Sequence, residues 1–154
     1  MNWQYKTFGQ LTTQELYDIL QLRSEIFVVE QNCVYQDIDG LDQQSLHLFG
    51  YQEGVIVAYV RILPPGLAYP SVAIGRVVVK MTARENGLGF SLMEYAHKTI
   101  EEKFPEEKSI SIMAQSYLLN WYGKLGYEAQ GAEFMEDGIP HHKMVRETFK
   151  RVIR

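Results

Sequence analysis

The chain has 154 residues, a length at which one hydrophobic core and one domain are the rule. Apolar residues make up 46% and charged residues 22%, ordinary globular usage that excludes long disorder. Fifteen Lys plus Arg against nineteen Asp plus Glu leave a net charge of −4, the opposite of the basic surface that sequence-independent nucleic-acid binding requires.

Cys33 is the only cysteine, so no intrachain disulfide can form and a cysteine-based zinc site is disfavoured. Met1–Lys6 lacks the basic head and apolar run of a signal peptide, and no stretch is apolar for long enough to cross a bilayer. These features predict a soluble protein of a reducing compartment, most simply the cytoplasm, with neither nucleic acid nor membrane as partner. Residues 1–150 are expected to form the single domain, with 151–154 as a C-terminal tail.

In chain order, Trp3 to Phe8 alternates apolar and polar residues as a half-buried strand does. Thr12-Thr13-Gln14-Glu15 fits a capping box flanked by Leu11 and Leu16, and predicts a helix with Leu16, Ile19, Leu20, Ile26 and Phe27 inward. Gln31 to Ser45 reads as a loop. Leu46 to Tyr51 and Val55 to Leu63 read as strands joined by a turn at Glu53-Gly54. Val72 to Lys80, with three valines in succession, predicts a central strand buried on both faces. Leu88, Leu92, Ala96, Ile100 and Phe104 recur every fourth residue, so Gly87 to Phe104 is expected to be helical up to Pro105. A short strand at Ser109–Met113, a short helix from Tyr117 to Leu125 ended by Gly126, and strands at Tyr127–Met135 and His141–Arg146 complete the pattern. The order β-α-β-β-β-α-β-α-β-β describes an α/β or α+β sheet with helices on its faces.

Two segments carry chemistry. Arg84-Glu85-Asn86-Gly87-Leu88-Gly89 falls between the Val77–Val79 strand and the next helix, where unpaired first-turn N–H groups and glycine backbone suit a phosphate or pyrophosphate. It is neither a Walker loop nor the dinucleotide fingerprint. A plain strand-to-helix turn needing glycine is an equal reading of the motif alone. Asn120-Trp121-Tyr122-Gly123-Lys124-Leu125-Gly126-Tyr127 reads by itself as a packed helix with a glycine cap, and otherwise as a helix presenting Tyr122 as a proton donor.

In this order, Val77-Val78-Val79, Arg84-x-x-Gly87-x-Gly89 and Trp121-Tyr122-x-x-Leu125-Gly126-Tyr127 resemble the GNAT superfamily of acetyl-CoA-dependent acyltransferases over nearly the whole chain. Leu22-Arg23, Phe27-Val28-Val29-Glu30-Gln31-x-Cys33, His47-Leu48, Ile74-Gly75-Arg76-Val77, Ala114-Gln115 and Glu136-Asp137-Gly138-Ile139-Pro140-His141 narrow the resemblance to the ElaA-type branch. It implies the GNAT fold: a mixed, mostly antiparallel twisted sheet with helices on both faces and central strands that splay. It further implies acetyl-CoA as cosubstrate, with its pantetheine arm in the splay against backbone near Val77 and Val79. An N–H around Val78 would hold the thioester oxygen, and the pyrophosphate would rest on N–H groups of Arg84, Glu85, Asn86, Gly87, Leu88, Gly89 and Phe90. Gln115 takes the place of a CoA-contacting asparagine. An amine of a small molecule or peptide would attack directly, with Tyr122 protonating the CoA thiolate. Glu85 departs from the glycine common in that turn, and its side chain is expected to point away from the pyrophosphate. Oligomeric state stays open, a homodimer among the options.

Asp37, Asp39 and Asp42 do not make a calcium loop, since an EF-hand from Asp37 needs glycine and glutamate where Asp42 and Leu48 stand. A solvated acidic loop that attracts a cationic amine is expected instead. Cys33, His47, His141 and His142 match no zinc spacing, and no metal is expected. The acceptor amine must lose a proton, and His47, Glu30, Glu136 and His141 are the candidates to take it. Arg76, His47, Glu136 and His141 are expected to converge near the acetyl end of the cofactor. Arg23 and Arg61 fit structural ion pairs better, and His97 is expected in solvent. Two other classes remain: an acyl-CoA-binding or sensing module with little catalysis, and a nucleotide-binding protein whose Gly87/Gly89 turn holds an unrelated phosphate.

Overall fold

The computed structural model describes residues 1–84 and 87–149. Its sheet has seven strands: β1 (Asn2–Thr7), β2 (Leu46–Gln52), β3 (Val55–Leu63), β4 (Val72–Val79), β5 (Ser109–Gln115), β6 (Glu128–Glu136) and β7 (Ile139–Glu147). They lie in the order β1-β2-β3-β4-β5-β7-β6. Every neighbouring pair is antiparallel except β4 and β5, which run parallel. Among the described residues three α-helices accompany it: α1 (Thr13–Arg23), α2 (Leu88–Lys103) and α3 (Leu119–Lys124).

The capping box forms as the sequence predicts. Thr12 Oγ1 accepts from the Glu15 N–H at 3.0 Å, and Glu15 Oε1 accepts from the Thr12 N–H at 2.8 Å. The helix does not run on to Phe27 in one geometry. After Arg23 it widens into a π-helical turn, Ser24–Glu30, a feature that occurs mostly within helices near functional sites. Ile19, Leu22 and Ile26 are buried beneath it with Phe49, Tyr59 and Val78, while Leu16, Leu20 and Phe27 are only half-buried. On the other face, α2 and α3 bury Leu92, Met93, Ala96, Ile100 and Leu125 against the sheet. The triple valine serves both faces: Val78 belongs to the α1 side, and Val77 and Val79 pack on the α2 side.

Two irregularities in β4 shape what lies beyond it. Opposite β3, Tyr59 pairs with Val78 but Arg61 pairs with Gly75, so β4 carries one extra residue. This bulge holds Arg76 at φ +53°, in the left-handed region that few non-glycine residues adopt. Opposite β5, the ladder covers Val72–Ile74 and Ile110–Ile112 and then ends. The rest of both strands diverges, as the splay expected from the resemblance requires.

His97 is not in solvent. It is 5% exposed on the inner face of α2, and its Nε2 lies 2.8 Å from the Tyr127 hydroxyl. The fourfold apolar repeat in the sequence concealed this, because position 97 flanks Ala96 on the same inward stripe. Burial, with Arg146 nearby, pushes its pKa down from 6.5 to about 3. Between those values the unfolded chain binds a proton that the folded chain refuses, so stability falls as pH drops below 6.5. The slope approaches about 1.4 kcal/mol per pH unit for one such group. Urea midpoints measured from pH 7 to 4 should decline accordingly, and His97→Gln should flatten the decline. An identical slope in the variant contradicts the assignment.

Candidate active site

Divergence of β4 and β5 opens two cavities that share a wall. The first, about 310 Å3, is lined by Val77–Val79, Arg84, the start of α2 from Gly87 to Phe90, and Trp121 and Tyr122. The second, about 360 Å3, lies on the other side of the same valines and is lined by Glu30, Cys33, Tyr35, Arg76, Gln115, Glu136 and His141 among others. Tyr122 borders both cavities.

Backbone direction along β4 follows from one hydrogen bond. The Lys80 N–H donates to Val57 O at 2.7 Å, toward β3. Polar groups alternate sides along a strand. Those of Val78 therefore face β3 as well, while those of Val77 and Val79 face the gap. Arg84 Nε, which bonds Val79 O at 2.9 Å, reaches it from that side. The Val78 N–H, nearest to the expected oxyanion donor, is thus turned to β3 and away from the gap.

The glycine turn is only partly as expected. Gly87 caps α2 at φ +70°, and an added Cβ there would meet no protein atom within 4 Å. The first helical bond is Ser91 N–H to Gly87 O at 3.1 Å, so Leu88 and Gly89 present their N–H groups ahead of the ladder. Arg84 differs: its own N–H is turned to Met81 O, and its guanidinium pairs with Glu30 at 2.7 Å. Gly89 answers to packing, since a Cβ there would come within 3.0 Å of Trp121 Cζ2. Glu85 and Asn86 lie outside the described residues, so the expected direction of the Glu85 side chain does too.

Tyr122 is buried, with its ring edge-on to Trp121 and Tyr127 at centroid distances of 4.9 and 5.8 Å. Burial, and then the neighbouring Tyr117, pushes its pKa well above the usual 10, so the phenol keeps its proton across the physiological range.

Of the residues expected at an acceptor site, Arg76, Glu30, Glu136 and His141 line the larger cavity. His47 does not join them. It is fully buried; its Nε2 donates to Asp42 O at 2.8 Å and its Nδ1 accepts from the Tyr59 hydroxyl at 2.7 Å. Gln115, expected to contact the cofactor, lines this same cavity, and its amide donates to Gln31 Oε1 at 3.1 Å.

Of the three loop aspartates only Asp39 is exposed. Asp37 and Asp42 are buried, and the three aspartates interlock with three arginines. Arg23 binds Asp37 at 2.9 Å and Asp42 at 2.8 Å; Arg61 binds Asp42 at 2.9 Å and Asp39 at 2.8 Å. Arg76, swung out by the bulge, binds Asp37 at 2.7 Å and Asp39 at 3.3 Å. Burial alone would raise the Asp39 pKa, but the Arg61 bonds outweigh it and hold it at about 2. Asp42 is lowered in the same way by Arg23 and Arg61. With their charges matched, these aspartates are not free to attract an amine. They instead fasten the loop that carries Tyr35, whose ring lies 5.6 Å from the Arg76 guanidinium carbon, as a wall of the larger cavity. Among the described residues no group of three or more His, Cys, Asp or Glu is placed to hold a metal ion, and no helix is long and apolar enough to cross a membrane.

A parallel pair that parts midway, a helix start lining the cavity beside it, and a buried tyrosine between two cavities are the frame shared with the acyltransferases matched below. A family model for the acetyltransferase (GNAT) domain matches residues 11–148, and the chain belongs to that family. Within it the chain sits in the ElaA-like branch: it is 39% identical to protein ElaA of Escherichia coli (strain K12) over 152 residues, 97% of this chain and 99% of ElaA. The crystal structure of E. coli ElaA matches with a TM-score of 0.88 over 95% of this chain and 99% of that one, at 38% identity. An acyl-CoA N-acyltransferase from Pseudomonas aeruginosa matches with a TM-score of 0.89 over 95% and 99% of the two chains, at 42% identity. An aminoglycoside 6'-N-acetyltransferase complexed with coenzyme A shares the fold, with a TM-score of 0.71 over 96% and 98% at 14% identity.

Proposed function

We propose that the protein is an acetyl-CoA-dependent N-acetyltransferase, moving an acetyl group from the thioester to an amine of a small molecule or peptide by direct attack. The observation that supports this most is the junction of the two cavities at Tyr122, beside strand edges left unpaired by the splay. An extended pantetheine arm suits those edges, which offer N–H and C=O groups of Val77 and Val79 in the manner of a missing strand. The thioester oxygen then has an N–H donor from Val77 or Val79. The N–H groups of Leu88 and Gly89 suit the pyrophosphate, as helix starts suit anions generally. Thioester chemistry supplies an activated acetyl group and a stable leaving thiolate. Tyr122, held protonated by its burial, supplies a hydrogen bond and then a proton to that sulfur. The enzyme is proposed to work without a metal, in the cytoplasm, as one domain over residues 1–150.

Thermal shift against coenzyme A, acetyl-CoA, ATP and NAD tests the reading. A ligand at a hundred times its Kd adds about 2.7 kcal/mol to stability, or about 5–10 °C in Tm at this size. Coenzyme A and acetyl-CoA should produce such a shift. A shift with ATP or NAD and none with the CoA compounds contradicts the proposal and favours a nucleotide-binding protein.

Gly87 provides a second check. Gly87→Ala puts a Cβ into open space at φ +70°, at a stability cost of about 1 kcal/mol. It should weaken acetyl-CoA binding at least tenfold by calorimetry, because the methyl lies where the backbone approaches the phosphates. Unchanged affinity in the folded variant places the phosphates elsewhere. Gly89→Val is less direct, since it displaces Trp121 as well.

A further inference from the structure

We propose that His141 is the general base of the transfer, taking the proton from the acceptor ammonium on its Nε2; the assignment rests on the acyltransferase reading above. An alkylammonium titrates near pH 10, so an amine acceptor arrives protonated and has no lone pair with which to attack. Sequence leaves four residues for this task, and the geometry separates them. His47 has both ring nitrogens engaged and does not line either cavity. Glu30 lines the larger cavity, but its carboxylate is held by Arg84 at 2.7 Å. Glu136 is exposed at the end of β6, open to water that competes for the same proton.

His141 differs from all three. It lies on β7, paired with Gln115 at the end of β5, and lines the cavity while being only 8% exposed. Its Nδ1 is 2.7 Å from Ile139 O. A carbonyl can only accept, so Nδ1 carries the proton and Nε2 carries the lone pair. Nε2 bonds no group among the described residues. Stacking on Phe134, with centroids 6.1 Å apart and planes at 24°, holds the ring in that orientation. The outcome is a basic nitrogen fixed toward the cavity that Tyr122 borders on its other side.

The proton balance closes with these two groups. Nε2 removes one proton from the ammonium and later releases it to solvent. The freed lone pair forms the N–C bond to the thioester carbonyl carbon, and the C–S bond breaks with its electron pair going to sulfur. Tyr122 gives its proton to that sulfur and is restored by the second proton leaving the new amide nitrogen. Ammonium and thioester thus yield amide, thiol and one proton.

The test compares wild type and His141→Ala with acetyl-CoA and a panel of primary amines, from diamines to peptides with free N-termini, read by thiol release. The variant should lose about 10²- to 10⁴-fold in kcat, keep its acetyl-CoA affinity by calorimetry, and regain turnover as imidazole is added, with no such gain in wild type. A variant as fast as wild type, or a slow one that imidazole leaves slow, overturns the assignment. A wild type that binds acetyl-CoA and acetylates no amine overturns the acyltransferase reading and this one with it. Nitrogen-15 spectra of wild type give an independent readout: the assignment requires the proton on Nδ1 of His141, and a proton on Nε2 instead refutes it whether or not the variant folds.

Discussion

Tyr122→Phe is expected to lower kcat by about 10²- to 10⁴-fold while leaving acetyl-CoA affinity and thermal stability nearly unchanged. The reason lies in what the substitution spares. Tyr122 holds its place by ring contacts with Trp121 and Tyr127, and phenylalanine keeps the ring. Only the hydroxyl goes, from the boundary of the two cavities. Desolvation raises the pKa of this phenol, which makes it a poor donor to water. A thiolate born in the same buried place suffers the same desolvation, so its proton affinity rises alongside and transfer between the two stays feasible. Steady-state rates of wild type and variant across a pH series check this. A variant that keeps the wild-type rate throughout assigns the proton to water and leaves Tyr122 as packing.

Removing Arg23 is expected to have the largest effect on stability. Its side chain is fully buried and spans Asp37 and Asp42. Arg23→Ala leaves two buried carboxylates with one guanidinium partner fewer each, a loss of the kind that costs about 3–5 kcal/mol. A double replacement of Arg23 and Asp42 by apolar residues of similar volume should recover part of it, since the penalty comes from the unmatched charge. The effect should reach function through the loop. Asp37 also binds Arg76 and accepts from the Tyr35 hydroxyl at 2.6 Å, so loosening it loosens that wall of the larger cavity. Denaturant midpoints check the first part, and KM for the amine against that for acetyl-CoA checks the second. A cost below about 1 kcal/mol contradicts a structural role for the lattice. The same lattice has an acid limit: with Asp39 held at about 2 against 3.8 unfolded, its contribution is present above pH 3.8 and is lost as pH falls toward 2.

What the sequence made legible follows the range of the interactions. The strands themselves, the capping box at Thr12–Glu15 and the fourfold repeat of α2 follow from local patterns, and they appear where they were expected. The valine run announced a strand packed on both sides, and the glycine turn announced a helix start. Readings that depended on distant partners went astray. Asp37, Asp39 and Asp42 look like a solvated loop until Arg23, Arg61 and Arg76, up to 39 residues away, close around them. His47 looked like a site residue because His47-Leu48 is itself a family-like stretch, yet its ring on β2 is locked to Tyr59 and Asp42. At Gly89 the sequence suggested backbone access alone, and it did not show that Trp121 from another helix also occupies the space a side chain would need. No sequence pattern announced the π-helical turn at Ser24–Glu30 or the bulge that swings Arg76 outward, since neither leaves a periodic signal.

Amine-dependent release of coenzyme A thiol from acetyl-CoA, with the N-acetylated product weighed by mass spectrometry, tests the central claim most directly. Release above the hydrolytic background is expected for at least one class of primary amine, with one acetyl group gained by the amine for each thiol freed. Saturable acetyl-CoA binding with no thiol release across the amine panel contradicts it, and makes the splayed strands a binding site rather than a site of transfer.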